Sequence, residues 1–221
     1  MNETVGGIVL CGGESRRMGT SKAELPFGDQ PMLLRMTRLL QAIDVVSPVV
    51  VVAAADQQLP QLDDQVIVTH DRQPGRGPLE GLAAGLRSLA GQQQLALVIS
   101  CDIPLLQPAL ALRLIELVED HDVVLPVQDG RDHPLLAVYR VNLCSRVEEL
   151  LEAEQRRMSS LFTDLKVRRV DTAELVEQDP QLLSFLNVNH PEDYLQALEL
   201  AGFQLDIEIE ARLAAEQGGA S

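Results

Sequence analysis

The chain has no tryptophan and only 3% aromatic residues, so it lacks the aromatics on which proteins stack single-stranded nucleic-acid bases. Basic residues are scarce too: 18 Lys and Arg stand against 33 Asp and Glu, for a net charge of −15 at pH 7. That balance argues against nucleic acid or an anionic membrane as the main partner. No apolar run approaches the length of a membrane span, and the first residues lack the charged-then-apolar pattern of a secretory signal. Cys11, Cys101 and Cys144 are odd in number and widely spaced, without a C-x-x-C pair. They predict reduced thiols, a cytoplasmic protein and no zinc site. His70, His121, His133 and His190 also lack metal-ligand spacing, and each by itself reads as an ordinary surface or loop histidine.

What is present is enough to bury a full core: 221 residues, 46% of them hydrophobic. Short apolar runs alternate with longer amphipathic segments. The strand candidates are Gly7–Leu10, Val49–Ala53, Val66–Thr69, Leu95–Ser100, Val123–Pro126, Leu135–Tyr139 and Lys166–Val170. The helix candidates are Met32–Ala42, Leu79–Leu89, Pro108–Glu119, Val141–Glu152 and Pro191–Ala201. Strands that are apolar almost throughout must be covered on both faces. The pattern therefore predicts an α/β fold, a mainly parallel sheet with helices on both sides. With no internal repeat and no low-complexity linker, residues 1–203 read as one domain. Residues 204–221 read as a carboxyl-terminal extension, partly helical and frayed at its end.

Chemistry concentrates in VGGIVLCGGESRRMGTSK, residues 5–22. A buried strand ends abruptly in Cys11-Gly12-Gly13, a turn suited to glycine. Its bare N–H groups can face an anion, with Arg16, Arg17 and Lys22 as nearby positive charge. The spacing matches neither G-x-x-x-x-G-K-[ST] nor G-x-G-x-x-G, which argues against a P-loop NTPase and a dinucleotide-binding dehydrogenase. The plainer reading, a structural turn with solvated arginines, is disfavoured by three cations and no acid between Arg16 and Lys22 in so acidic a chain.

Three further segments add weight. Leu95–Ser100 delivers Asp102 to a strand end, where Mg²⁺ would compensate its charge, or where the aspartate would begin a turn or cap the next helix. Gly75-Arg76-Gly77-Pro78-Leu79-Glu80-Gly81 lets backbone approach a flat or phosphorylated ligand at a helix start, or simply makes a tight connection. Asp132-His133-Pro134 and Asn187-Val188-Asn189-His190-Pro191 are weaker signals. In the second, Asn189 is a candidate helix cap, and the two amides could hold a ligand. The turn after the first strand and Asp102 after another are placed to flank one crevice.

The set resembles the molybdenum cofactor guanylyltransferases, the MobA family of nucleotidyltransferases. The matching pieces are LCGGESRRMG at 10–19 with Lys22, GPLEG at 77–81, SCDIPLL at 100–106, DHPLLAVYR at 132–140 and NVNHPEDY at 187–194. They span nearly the whole chain, and NVN-x-PED is the most specific of them. The resemblance implies a Rossmann-like three-layer α/β/α sandwich of the glycosyltransferase-A type. It implies transfer of GMP from GTP to the phosphate of Mo-molybdopterin, with Mg²⁺ as cofactor and pyrophosphate released. By position, Leu10, Cys11, Gly12 and Gly13 would bind the nucleotide, with Gly77, Pro78 and Leu79 at the second glycine loop. Lys22 would hold the phosphates with Arg16, and Asp71 would face the guanosine. Asp102 would be the metal ligand, also contacting the nucleotide, while His133, Asn187 and Asn189 would lie toward the acceptor.

The expected protein is a cytoplasmic monomer or weak homo-oligomer, handing its product to a molybdoenzyme or insertion chaperone. Three departures from the family pattern stand out. Cys11 replaces an alanine, Ser21 stands where an acid usually precedes Lys22, and Val49–Ala55 offers no amide where the family has a nucleotide-contacting asparagine. The last leaves open a cytidylyltransferase acting on molybdopterin or a sugar or polyol phosphate. A nucleotide-binding relative without turnover is the other alternative.

Overall fold

Alternation of side chains along the buried strands divides the interior into two apolar layers. The computed structural model describes residues 3–12, 21–71 and 76–204. Strand β1 (Val5–Leu10) is followed by a short hairpin, β2 (Pro26–Phe27) and β3 (Gln30–Pro31), which opens into helix α1 (Met32–Gln41). Strands β4 (Val46–Ala53) and β5 (Ile67–His70) precede α2 (Pro78–Leu89), and β6 (Leu95–Ser100) precedes α3 (Pro108–Glu116). Then come β7 (Val123–Gln128), β8 (Arg131–Asp132), β9 (Leu136–Arg140), α4 (Cys144–Glu152), α5 (Met158–Leu161), β10 (Val167–Asp171) and α6 (Pro191–Leu200). The main sheet runs β10-β7-β9-β6-β1-β4-β5, with β8 attached to β7.

Val9, Val51, Leu97 and Ile99 face one side, where Leu33, Met36 and Leu40 of α1 and Leu110 and Leu114 of α3 cover them. Ile8, Val50, Val52 and Val98 face the other, under Leu79, Leu82 and Leu86 of α2 and Val147 and Leu151 of α4. The three-layer sandwich follows from this period of two. No helix among the described residues is long and apolar enough to cross a membrane.

Strand β9 departs from the parallel arrangement. It runs antiparallel to both β6 and β7, whereas β1, β4, β5 and β6 form parallel pairs, as do β7 and β10. After β7 the chain turns through Asp129 (φ 50°) and Gly130 (φ 74°) into β8. It re-enters the sheet after three residues, too few for the crossover that a parallel neighbour requires. The consequence is functional: His133 and its neighbours are set beside the carboxyl end of β6, where Ser100 N donates to Leu135 O at 2.9 Å.

Several expected boundaries shift. The helix expected over Pro108–Glu119 ends at Glu116, and the one expected from Val141 opens as a 3-10 turn, Val141–Leu143. Asn189 is not the cap of α6: His190 holds that position, and Asp193 Oδ2 accepts the N–H groups of Asn189 (2.9 Å) and His190 (2.8 Å).

Close packing of α2 on β1 rests on Gly85, where an added Cβ would lie 2.7 Å from Ile8 Cγ2 and 2.8 Å from its Cδ1. A stiff β-branched side chain fixed in the sheet has little room to yield. Gly85→Ala should therefore lower the unfolding free energy. Overpacking costs about 1–3 kcal/mol against roughly 1 kcal/mol regained in helix propensity. Chemical denaturation reads the result, and an unchanged or higher midpoint would contradict this packing.

A third apolar cluster ties distant parts of the sequence together. Leu25, Phe27, Met32, Leu105, Val188, Tyr194, Ala197 and Leu198 pack on one another, and the Tyr194 hydroxyl donates to Pro26 O. It anchors the segments carrying Lys22, Asp102 and Asn189 at the carboxyl end of the sheet.

Candidate active site

The parallel ladder continues one residue past the ends of β1 and β6. Cys11 N donates to Val52 O at 2.9 Å and Cys101 N to Leu10 O at 3.0 Å, so Gly12 and Asp102 leave adjacent strands side by side. Asp102 Oδ1 accepts from Ser100 Oγ at 2.6 Å, and Oδ2 lies 3.1 Å from Lys22 Nζ. The same ammonium donates to Asn189 Oδ1 at 2.8 Å. Val188 N donates to Asp102 O at 2.8 Å, locking the asparagine segment against the aspartate. Residues 80 and 167 positions from Lys22 thus meet on one ammonium. The charge of Asp102, expected to await Mg²⁺, is balanced in this structure by Lys22. Asn189, expected on the acceptor side, stands at this charged centre. Gly13, Arg16 and Arg17 lie outside the described residues.

An amide does stand two residues beyond Val49–Ala55, but it is engaged within the protein. Gln57 Oε1 accepts from Ala54 N at 3.2 Å, and its Nε2 donates to Cys11 O at 3.0 Å and to Ser21 Oγ at 3.4 Å. One side chain therefore ties the exit of β4 to the start of the glycine turn and to the residue before Lys22. Burial, with the charge of Asp71 adding to it, pushes the Cys11 thiol up to about 12, and burial raises the Cys101 thiol as well. Neither thiol is a nucleophile at neutral pH.

On the other flank, Gly77 takes φ 79°, a backbone conformation that favours glycine, and serves as cap of α2 with Pro78 in its first turn. Leu79 is fully buried in the core, so only its backbone faces the loop. Arg76 turns away to Leu151 O (3.1 Å) and Glu154. Asp71 lies between Gly12 and α2: a Cβ at Gly12 would be 3.2 Å from its Oδ2, and one at Gly81 would be 3.5 Å from its Oδ1. That Oδ1 is shut off from solvent without a hydrogen-bond partner.

Burial, followed by the charge of Glu80, raises the Asp71 carboxyl above its usual range. A carboxyl that binds its proton more tightly when folded subtracts stability as pH rises through its unfolded pKa. Asp71 is thus a group the free fold does not favour.

Beside Asp102 opens a cavity of about 700 Å³. Ser100, Asp102, Ile103, His133, Phe185 and Asn187 line it, together with Arg131 and Asp132 of the β7–β8 hairpin. His133 and Phe185 meet edge to face, ring centroids 5.0 Å apart, and burial lowers the affinity of His133 for a proton. Asp132 is held by Arg169 through contacts of 3.0 and 3.3 Å on Nε and 3.0 Å on Nη2. The structure thus brings Leu10, Cys11, Gly12, Lys22, Asp71, Asp102, His133, Asn187 and Asn189 to one end of the sheet. Sequence reasoning missed Gln57, which lies just beyond the stretch searched for an amide. It also missed Phe185, which a 3-10 turn (Leu183–Phe185) places without any periodic signal.

A parallel sheet whose strand ends bring Gly12, a lysine and an aspartate beside a cavity is the arrangement of a nucleotidyltransferase. The chain belongs to the MobA-like NTP transferase family, whose domain model matches residues 7–170. It is 41% identical over 188 residues to a Mycobacterium tuberculosis protein named "Probable molybdenum cofactor guanylyltransferase", covering 82% of this chain and 88% of the relative. A Methanothermobacter thermautotrophicus protein of the same name is 35% identical, covering 87% and 98%. Among solved structures, molybdopterin-guanine dinucleotide biosynthesis protein A from Archaeoglobus fulgidus superposes with a TM-score of 0.74 at 23% identity, covering 89% of this chain and 98% of that one. The 2-C-methyl-D-erythritol 4-phosphate cytidylyltransferase of Thermus thermophilus gives 0.66 at 16% identity, covering 88% and 98%. At these identities the two structures establish the fold.

Proposed function

We propose that the protein transfers GMP from GTP to the terminal phosphate of Mo-molybdopterin. The observation that carries this reading is the Lys22–Asp102–Asn189 centre at the edge of the cavity, on the strand next to the one that leads into Gly12. A phosphate oxygen of the acceptor attacks the α-phosphorus, the bond from that phosphorus to the bridging oxygen breaks, and pyrophosphate leaves. Both reactants are anions, so their repulsion must be screened before they meet. Lys22 and the N–H of Gly12, with Gly13 and Arg16 from the adjoining segment, would hold the triphosphate and the departing pyrophosphate. The acceptor is already an ionised phosphate, so no strong general base is needed. The absence of a His or Cys dyad from the roles assigned here is consistent with that chemistry.

The donor set at Asp102 suits a divalent cation such as Mg²⁺, which takes one or two carboxylates and completes its shell with substrate phosphates and water. Asp102 would hold it, and when bound it supplies charge neutralisation at the phosphate oxygens. Lys22 must then leave Asp102 for the triphosphate, and Asn189, bonded to the same ammonium, would steady it. The cavity would seat the acceptor, with the His133–Phe185 pair offering a flat heterocycle an aromatic wall.

Thermal unfolding with GTP, CTP, ATP and UTP, each with and without Mg²⁺, tests the donor half. A ligand at ~100 times its dissociation constant adds roughly 2.7 kcal/mol of stability. The expected result is a Mg²⁺-dependent rise in Tm with GTP alone. A rise with CTP alone would move the protein to cytidylyl transfer, and no rise with any nucleotide would sink the reading.

A further inference from the structure

Glu80 is a residue that the proposed reaction leaves unused. It occupies the first turn of α2 with only 5% of its surface exposed. Close by, Asp71 Oδ1 is shut off from solvent without a hydrogen-bond partner, and the charge of Glu80 bears on the Asp71 carboxyl. A carboxylate oxygen shut off from solvent beside a second acid, without a donor, is expensive for a fold to bury. The helix N-terminus offsets part of that cost but does not satisfy that oxygen.

The surroundings suit a flat ligand rather than a side chain. Glycines stand on both sides of Asp71, and the Gly81 Cβ position lies 3.2 Å from Leu10 Cδ2, so the end of β1 borders the same space. The amide that could otherwise read a base, Gln57, is already committed to Ala54, Cys11 and Ser21.

We infer that Glu80 acts with Asp71 as the base-selecting pair, accepting hydrogen bonds from the N1–H and 2-amino edge of guanine. This rests on the reading that the nucleotide is GTP, and it assigns guanine selectivity to a residue given no role in the proposed transfer. Guanine presents a ring N–H beside an amino group, a row of donors that two carboxylates can accept. Adenine and cytosine place a bare ring nitrogen at that edge, and uracil flanks its single N–H with carbonyls. Each would set acceptor against acceptor. Hypoxanthine keeps the N–H and loses the amino group, so GTP against ITP isolates the second contact.

The test is equilibrium binding of GTP, ITP and XTP, with Mg²⁺, to the wild type and to Glu80→Gln. The wild type should prefer GTP to ITP. E80Q should lose on the order of tenfold of that preference, the scale of one hydrogen bond to a charged group. It should also bind XTP better relative to GTP, because the new amide N–H₂ can donate to the 2-carbonyl. The substitution conserves size, and the ligand-free variant should melt no lower than the wild type, since a like-charge repulsion is removed.

An unchanged GTP-to-ITP ratio in E80Q would overturn the assignment. So would a lower ligand-free Tm with equal losses for all three nucleotides, which would mark Glu80 as structural. A wild type that binds no GTP would instead refute the nucleotide reading on which the assignment stands.

Discussion

Asp102→Ala should lower the turnover of guanylyl transfer by 10²-fold or more, equivalent to about 2.7 kcal/mol of barrier. The carboxylate stands where β6 opens onto the cavity, one oxygen on Ser100 and the other facing Lys22. In the proposed reaction it would hold the divalent cation. The loss should not come from unfolding, because the Val188 N–H bond to Asp102 O is made by the main chain and survives the substitution. Asp102→Asn sharpens the test, since it keeps the shape and removes the charge. Pyrophosphate release at saturating GTP should fall comparably in both variants, with denaturation midpoints near the wild type. Near-normal turnover in either would refute the assigned role.

Lys22→Ala should cost a similar factor in kcat/KM, with much of it appearing as weaker GTP binding. One compact ammonium satisfies Asp102 at 3.1 Å and Asn189 at 2.8 Å in the free protein. It is thus held at the carboxylate proposed to take the cation, ready to pass to a triphosphate. Lys22→Arg should rescue little, because a planar guanidinium cannot replace a point charge wedged between two oxygens. A thermal scan would show a smaller GTP-induced rise in Tm for Lys22→Ala than for the wild type. Full activity in Lys22→Arg would show that general positive charge suffices and that the geometry does not matter.

The parts of this architecture legible from sequence are those written in local pattern. Ile8-Val9-Leu10 running into Cys11-Gly12 announces a strand covered on both faces and a tight turn. Leu95–Ser100 followed by Asp102 announces a carboxylate at a strand end. The end of the first strand and the carboxylate after the other stand side by side at the carboxyl end of the sheet, while the turn itself runs on into residues outside those described.

What escaped depends on contacts far apart in sequence. The run Leu135–Tyr139 reads as a strand, but its antiparallel direction follows from the short return after the Asp129-Gly130 turn. Gln57 lies past a strand end in a segment without periodicity, and only the fold brings its amide to Cys11. Phe185 joins His133 because Leu182, at φ 52°, turns the chain back toward the cavity. Lys22 as the internal counter-ion of Asp102 requires the cluster around Tyr194 and Val188, assembled from segments more than 150 residues apart.

The most direct test of the central claim is pyrophosphate release by the purified full-length protein with Mo-molybdopterin and either GTP or CTP. The account predicts release with GTP that depends on the acceptor, with formation of the guanine dinucleotide and no comparable turnover of CTP. Acceptor-dependent release with CTP and none with GTP would contradict it.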